Sequence, residues 1–198
     1  MEVKEKLIFV TGLDTKSNFF KDDMYTKVVS IPYVAKFEKV SYEQFKKDMI
    51  KTTGFDDEDL IKCCYDDIKL PKRATQFSAG YDFYTPIAFK PLIGEGVVIP
   101  TGIRCKMEPG WVLNLYPRSG QGFKYGMHLY NTVGIIDGDY YNADNEGHIM
   151  VKLSVKEECP LIEENERFCQ GVFTQFGITI DDDATEVRTG GLGSTSKK

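Results

Sequence analysis

The sequence predicts a mainly β fold, and three features carry the prediction. From Pro71 onward the apolar residues recur with a period of two in short segments punctuated by Gly and Pro, the pattern of an all-β sandwich or barrel. No alternation of strand and helix signals runs along the chain, which disfavours a doubly wound parallel sheet. Helical periodicity is confined to residues 41–66, ahead of the β region. At 198 residues, with 41% hydrophobic and 13% aromatic content, the chain can bury the core of one sizeable domain with an appendage.

Residues 1–30 carry no readable period. Ile31 to Val40 is rich in β-branched and aromatic residues and reads as the first core strand, at about 31–40. Ser41-Tyr42-Glu43-Gln44 has capping-box spacing, and Tyr42, Phe45, Met49 and Ile50 recur at helical intervals until Gly54. A second helix is expected from Asp56 through Cys64, because acidic residues crowd its first turn and Leu60, Ile61 and Cys64 share a face. In the β region, Val97 to Cys105 reads as two strand pieces joined across Pro100-Thr101-Gly102, and Trp111 to Tyr116 alternates. The clearest strand is His148 to Lys156, with Ile149, Val151, Leu153 and Val155 facing one way and Met150, Lys152, Ser154 and Lys156 the other.

Composition narrows the function classes. The 25 basic and 30 acidic residues give a net charge of -5, and only Lys197-Lys198 form a basic block. Direct nucleic-acid binding, which needs a basic stripe, is disfavoured. No apolar run is long enough to span a bilayer, and Leu7 to Val10 is too short for a signal-peptide core, so a cytoplasmic protein is expected. Five cysteines, an odd number without a C-x-x-C pair, indicate neither a disulfide framework nor a zinc site, and the two histidines, His128 and His148, give no metal centre.

Three segments have chemical potential. Arg118-Ser119-Gly120 follows a strand ending at Pro117 and offers a guanidinium fork, a hydroxyl and an unhindered amide: a phosphate cradle, or an ordinary turn. Gly134 to Tyr140 places Asp137 and Asp139 on one side of an extended, glycine-flanked hairpin, where one carboxylate could hold a water; the alternative is a solvent-facing acidic turn. Arg188 to Thr195 is a glycine-rich tail with an Arg and hydroxyls, suited to a mobile arm closing on an anion or to a loose terminus.

Taken in order, Ala79-Gly80-Tyr81-Asp82, Pro117 to Gly120, Gly134 to Tyr140, Glu166 to Gln170 and Arg188 to Thr195 resemble the five motifs of the trimeric dUTP diphosphatases. Leu70 to Ala74 and Asp144 to His148 look like bacterial or phage members. The resemblance covers roughly residues 69–198. It implies a jelly-roll-like β-barrel core at 67–187, preceded by an extension and helical insertion at 1–66 and followed by a mobile arm at 188–198. It further implies a homotrimer with shared sites that hydrolyses dUTP to dUMP and pyrophosphate, limiting uracil in DNA and supplying dUMP. By the same resemblance Asp137 deprotonates the attacking water, Tyr140 packs beneath the deoxyribose, and Asn131, Gly134, Ile135 and Ile136 pair with uracil in a narrow hairpin beside Met150. Arg118, Ser119, Gly120 and Gln170 contact the phosphates, Arg188 of another subunit clamps the γ-phosphate, and Leu192 and Gly193 belong to the lid. Mg2+ rides mainly on the triphosphate, with Asp82 reaching it through water.

The tail departs from the family pattern. One residue fewer separates Arg188 from the glycine pair, Leu192 stands where Phe stacks on uracil, and Ser196 replaces a Gly. Residues before Ile31 and the insertion at 41–66 have no counterpart in the minimal enzyme, which leaves 1–66 open to a protein partner. The competing readings are a non-catalytic or dual-role regulatory module on the same fold and, further off, a dCTP deaminase.

Overall fold

The structure, a computed structural model, describes residues 5–12 and 25–190. The chain divides into two units, residues 1–35 and 36–198. In the first, β1 (Glu5–Gly12) and β2 (Tyr25–Pro32) form an antiparallel ladder, with Glu5 opposite Pro32 and Gly12 opposite Tyr25. The continuous strand expected over 31–40 is therefore two strands. β2 stops at Pro32, where the missing N–H removes a ladder donor, and β3 (Ala35–Lys39) begins afresh.

The second unit opens with the two expected helices. α1 (Tyr42–Thr53) starts where Ser41 Oγ accepts from the Gln44 amide at 3.2 Å and ends at Gly54, whose φ of 71° suits a residue without a Cβ. Only half of the capping box forms within the helix. Gln44 turns its side chain to Asp48, and the Ser41 N–H is taken instead by Glu146 Oε2 at 2.7 Å, a partner supplied by the fold. α2 (Glu58–Asp66) is capped by Asp57 and begins two residues later than expected. Phe45, Met49 and Ile61 from these helices are fully buried in the main core.

The β elements follow in order: β4 (Lys72–Arg73), β5 (Tyr81–Tyr84), β6 (Val97–Pro100), β7 (Ile103–Met107) and β8 (Trp111–Pro117). After α3 (Ser119–Tyr125) come β9 (His128–Leu129), β10 (Gly134–Ile136), a 3-10 turn at Gly138–Asn142, β11 (Met150–Ser154) and β12 (Arg167–Gln175). One sheet has the order β10-β8-β12-β5-β4, a second β6-β11-β9, and β3 pairs with β7. The two pieces predicted on either side of Pro100-Thr101-Gly102 thus serve different sheets, and Gly102 makes the switch with a φ of 70° that a side chain would resist.

Phe83, Leu113, Leu115 and Phe168 of the larger sheet and its flank join Ile99, Leu129, Val151 and Leu153 of the smaller one in a single core. Fully burying each such side chain stabilises by about 1.5–3 kcal/mol. The four residues predicted inward from 148–156 are all buried, but β11 itself is shorter, and Ser154, expected on the opposite face, is buried too. The result is a mainly β, jelly-roll-like fold. Among the described residues no helix is long and apolar enough to cross a membrane.

Candidate functional site

Sheet register gathers the first cluster. Gln170 on β12 lies opposite Asp82 on β5 and opposite Tyr116 on β8, so three distant segments meet at one end of the larger sheet. Asp82 receives Arg118 Nε at 3.0 Å on one oxygen and Arg167 Nη1 at 3.2 Å on the other. Gln170 Nε2 donates to the Pro117 carbonyl at 3.1 Å. Gly80 sits against this amide: a Cβ there would stand 2.6 Å from Gln170 Oε1, which explains a glycine next to Tyr81-Asp82.

Arg118-Ser119-Gly120 is neither a simple turn nor an extended loop. Arg118 is the N-cap of α3, a helix absent from the sequence reading because Gly120 and Gly122 hide it. The amides of Ser119, Gly120 and Gln121 have no carbonyl one turn earlier in the helix. Ser119 and Gly120 are exposed, and the position of a Gly120 Cβ is open. A guanidinium, a hydroxyl and unpaired N–H groups at one point can receive phosphate oxygens.

The second cluster stands on β10, an edge strand that pairs with β8 on one side only among the described residues. Its other edge presents backbone donors and acceptors, and Ile135 is exposed. The narrow hairpin expected to hold Asn131 and Gly134 to Ile136 takes the form of a connection from Tyr130 to Val133 between strands of two sheets. β9 and β10 lie in different sheets, and the chain arches between them through exposed Asn131 and through Thr132 at φ 66°. Met150 is the first residue of β11, opposite Pro100.

Asp137 ends the β10 segment as the N-cap of the 3-10 turn, so Asp139 is not in extended chain as expected. Both carboxylates nevertheless meet Arg188 of the same chain, Asp137 Oδ2 at 2.8 Å from Nη2 and Asp139 Oδ1 at 3.5 Å from Nε. The Arg188 guanidinium stands 5.6 Å from the Tyr140 ring centre, and the Thr189 carbonyl accepts the Asp144 amide at 3.0 Å. A cleft of about 550 Å³ beside Asp137 is lined by Trp111, Asp139 and Phe176 among others. Leu192 and Gly193 lie outside the described residues.

Tyr140 is 4% exposed. Its hydroxyl donates to the His148 carbonyl at 2.8 Å and accepts from Asn145 Nδ2 at 2.8 Å. Burial pushes its phenol above the ordinary range, so it remains neutral.

The two clusters are far apart within one chain. Ile136 pairs with Leu113 and Pro117 with Cys169, so Asp137 stands level with Val112 while Arg118 follows Pro117. Six strand residues separate these levels, roughly 20 Å.

No group of three or more His, Cys, Asp or Glu side chains among the described residues is placed to hold a metal. Both oxygens of Asp82 are engaged by guanidinium groups, which leaves only outer lone pairs for a hydrated cation. Burial raises the Cys105 thiol to about 12 and also raises Cys169, so these thiols are structural rather than nucleophilic.

Two polar contacts escaped the sequence reading. Arg167 has its signal inside Glu166-Arg167-Phe168, beside a β-bulge that turns it to Asp82. The pair Asp48 and His148 has a fainter one, a carboxylate one helical turn beyond Gln44 on a face that is partly buried.

Comparisons with known proteins bear on the family and the fold. The dUTPase family model matches residues 66–196. The deoxyuridine 5'-triphosphate nucleotidohydrolase of Lactococcus lactis is 46% identical over 134 residues, 65% of this chain and 88% of that protein. The protein of the same name from Dictyoglomus turgidum is 37% identical over 146 residues, 69% and 96% of the two chains. The crystal structure of dUTPase from Streptococcus mutans superposes with a TM-score of 0.54 at 37% identity, over 74% of this chain and 98% of that one. On the family match over residues 66–196 and on these likenesses, the chain belongs to the dUTPase family.

Proposed function

We propose that the protein hydrolyses dUTP to dUMP and pyrophosphate in the cytosol as a homotrimer. The observation that supports this reading is the sheet register, which gathers Arg118, Ser119, Gly120 and Gln170 at one level and β10, Asp137 and Tyr140 at another; the first set is read as receiving the phosphates and the second as receiving base and sugar. Both ends act on one nucleotide when they come from neighbouring subunits.

The unpaired edge of β10 from Gly134 to Ile136, with Asn131, reads the uracil. Cytosine presents the opposite donor pattern there and leaves buried groups unpaired, which is the stronger penalty. Tyr140 supports the deoxyribose and Met150 borders the base pocket. Asp137 takes a proton from the water whose oxygen forms the new bond to the α-phosphorus. The bond from that phosphorus to the bridging oxygen breaks, and pyrophosphate leaves with the electron pair. Arg118, Ser119 and the first-turn amides of α3 meet the charge that grows on the departing oxygens, which lowers the barrier.

Mg2+ enters on the triphosphate as part of the substrate. Asp82 orients Arg118 and would hold the hydrated cation through water, where the metal would offset the charge of the triphosphate. Arg188 leaves Asp137 and Asp139 for the phosphates when nucleotide binds, because the triphosphate carries more charge than the two carboxylates. The test is pyrophosphate release, with Mg2+, from dUTP, dCTP, dTTP, dATP, dGTP and UTP. Strong preference for dUTP, with UTP turned over slowly, is expected; conversion of dCTP to dUTP without pyrophosphate would overturn it.

A further inference from the structure

Residues 38–48 reach the turn that carries Tyr140 at three points. Tyr141 Oη donates to Glu38 Oε2 at 2.6 Å. Ser41 gives its N–H and its hydroxyl to Glu146. Asp48 Oδ2 lies 2.6 Å from Nδ1 of His148, a side chain with no exposed surface. The insertion at 41–66 is thus tied to the segment Tyr141 to His148 rather than standing free of it.

The third contact has a definite proton placement. Gly102 N–H points to His148 Nε2 at 2.8 Å, and an amide only donates, so Nε2 carries the lone pair. The ring proton is then on Nδ1 and is given to Asp48, whose same oxygen also accepts from Gln44 Nε2 at 2.7 Å. His148 is held at both nitrogens, and its backbone follows the ring. That backbone carbonyl is the acceptor of the Tyr140 hydroxyl at 2.8 Å, and the His148 N–H in turn donates to the Asn145 carbonyl at 3.0 Å. Gly147 closes the loop against the turn, since a Cβ there would lie 2.6 Å from the Tyr140 carbonyl oxygen.

We infer that Asp48 of α1 is a positioning residue, which acts through His148 to fix the Tyr140 ring and so sets discrimination between deoxyribose and ribose. The inference rests on the reading of Tyr140 as the sugar platform. A ring held rigidly refuses a 2′-hydroxyl; a ring free to retreat by a few tenths of an ångström admits it. The helical insertion thereby gains a task in the reaction without touching the nucleotide.

The test is the ratio of kcat/KM for dUTP to that for UTP, measured in the full-length enzyme together with Tm. Asp48→Ala lowers the ratio about threefold to tenfold, a factor of the size expected from one lost hydrogen bond. Asp48→Asn, whose amide oxygen still accepts from Nδ1–H, restores it to within about twofold. Tyr140→Phe, which cuts the link to His148, lowers the ratio similarly, and adding Asp48→Ala to it lowers the ratio no further. A lower Tm with an unchanged ratio in Asp48→Ala, or independent effects in the double variant, would make Asp48 merely structural and overturn the inference. Where Asp48→Ala does not fold, Tyr140→Phe decides, and an unchanged ratio there overturns it. Tyr140→Ala separates the two levels: if it leaves the ratio unaltered the platform reading fails, whereas if it alters the ratio and Asp48→Ala does not, only the inference fails.

Discussion

Asp137 combines two demands that pull apart. As the proposed general base it must be reachable by water, yet its carboxylate is engaged by Arg188 in the chain by itself. An amide keeps the shape and the hydrogen bond but cannot take a proton, so Asp137→Asn is expected to lower kcat by about a hundredfold or more. Binding of a non-hydrolysable dUTP analogue, followed calorimetrically, is expected to stay close to wild type. Near-normal kcat in that variant removes Asp137 from the base role. Leu192 poses the converse question, since it is apolar but offers no π-face to a base. An aromatic partner adds about 0.5–1.5 kcal/mol beyond area burial, so Leu192→Phe is expected to lower KM for dUTP by about threefold to tenfold. A KM no lower than wild type means that residue 192 does not cover the base.

At the scale of elements, the contacts between residues 38–48 and 141–148 run through carboxylates, which makes them sensitive to acid. Hydrogen bonds from Lys36 and then Tyr141 hold Glu38 at about 2. Burial pulls Asp48 and Glu146 upward, but hydrogen bonds from His148 and Gln44 in one case, and from Ser41 in the other, bring both below their ordinary values. A carboxylate lowered in the folded state stabilises it above the unfolded range and loses that contribution as the pH falls through the folded value. Amide protection of residues 138–148 is therefore expected to hold down to about pH 4.5 and then to fall progressively toward pH 2, ahead of the β8 and β12 ladder. Simultaneous loss across both segments would show that these carboxylates do not govern the turn. The same elements mark what local sequence can convey. α1 was legible because Ser41, its apolar spacing and Gly54 are local signals, and the core face of β11 was legible because period two is local as well. The Glu146 cap on Ser41, the Asp48–His148 pair and the sheet change at Gly102 were not, since each depends on a partner remote in sequence. α3 was hidden for the opposite reason: its glycines argue against a helix that the fold imposes.

The largest scale returns to the roughly 20 Å of β8 between the level of Asp137 and Arg118. On the proposed roles, a water held by Asp137 would attack the phosphorus whose leaving oxygen meets Arg118 and Ser119, and the two ends would then not serve one nucleotide within a single chain. The proposed trimer would resolve this, because closed rotational symmetry lets each interface bring the Asp137 end of one copy to the Arg118 end of the next. Two inactive variants then become a quantitative probe. In co-refolded, equimolar mixtures of Asp137→Asn and Arg118→Ala subunits, a competent site needs Asp137 from a subunit of the second kind and Arg118 from one of the first. Random assembly meets both conditions at about one quarter of the sites, so kcat per site is expected to recover to about a quarter of wild type although neither parent turns over. Were the site contained in one chain, every copy would carry one of the two lesions and the mixture would stay as inactive as its parents. Sedimentation of the same mixture ties the rate to the assembly, with recovered activity expected only in the trimer fraction.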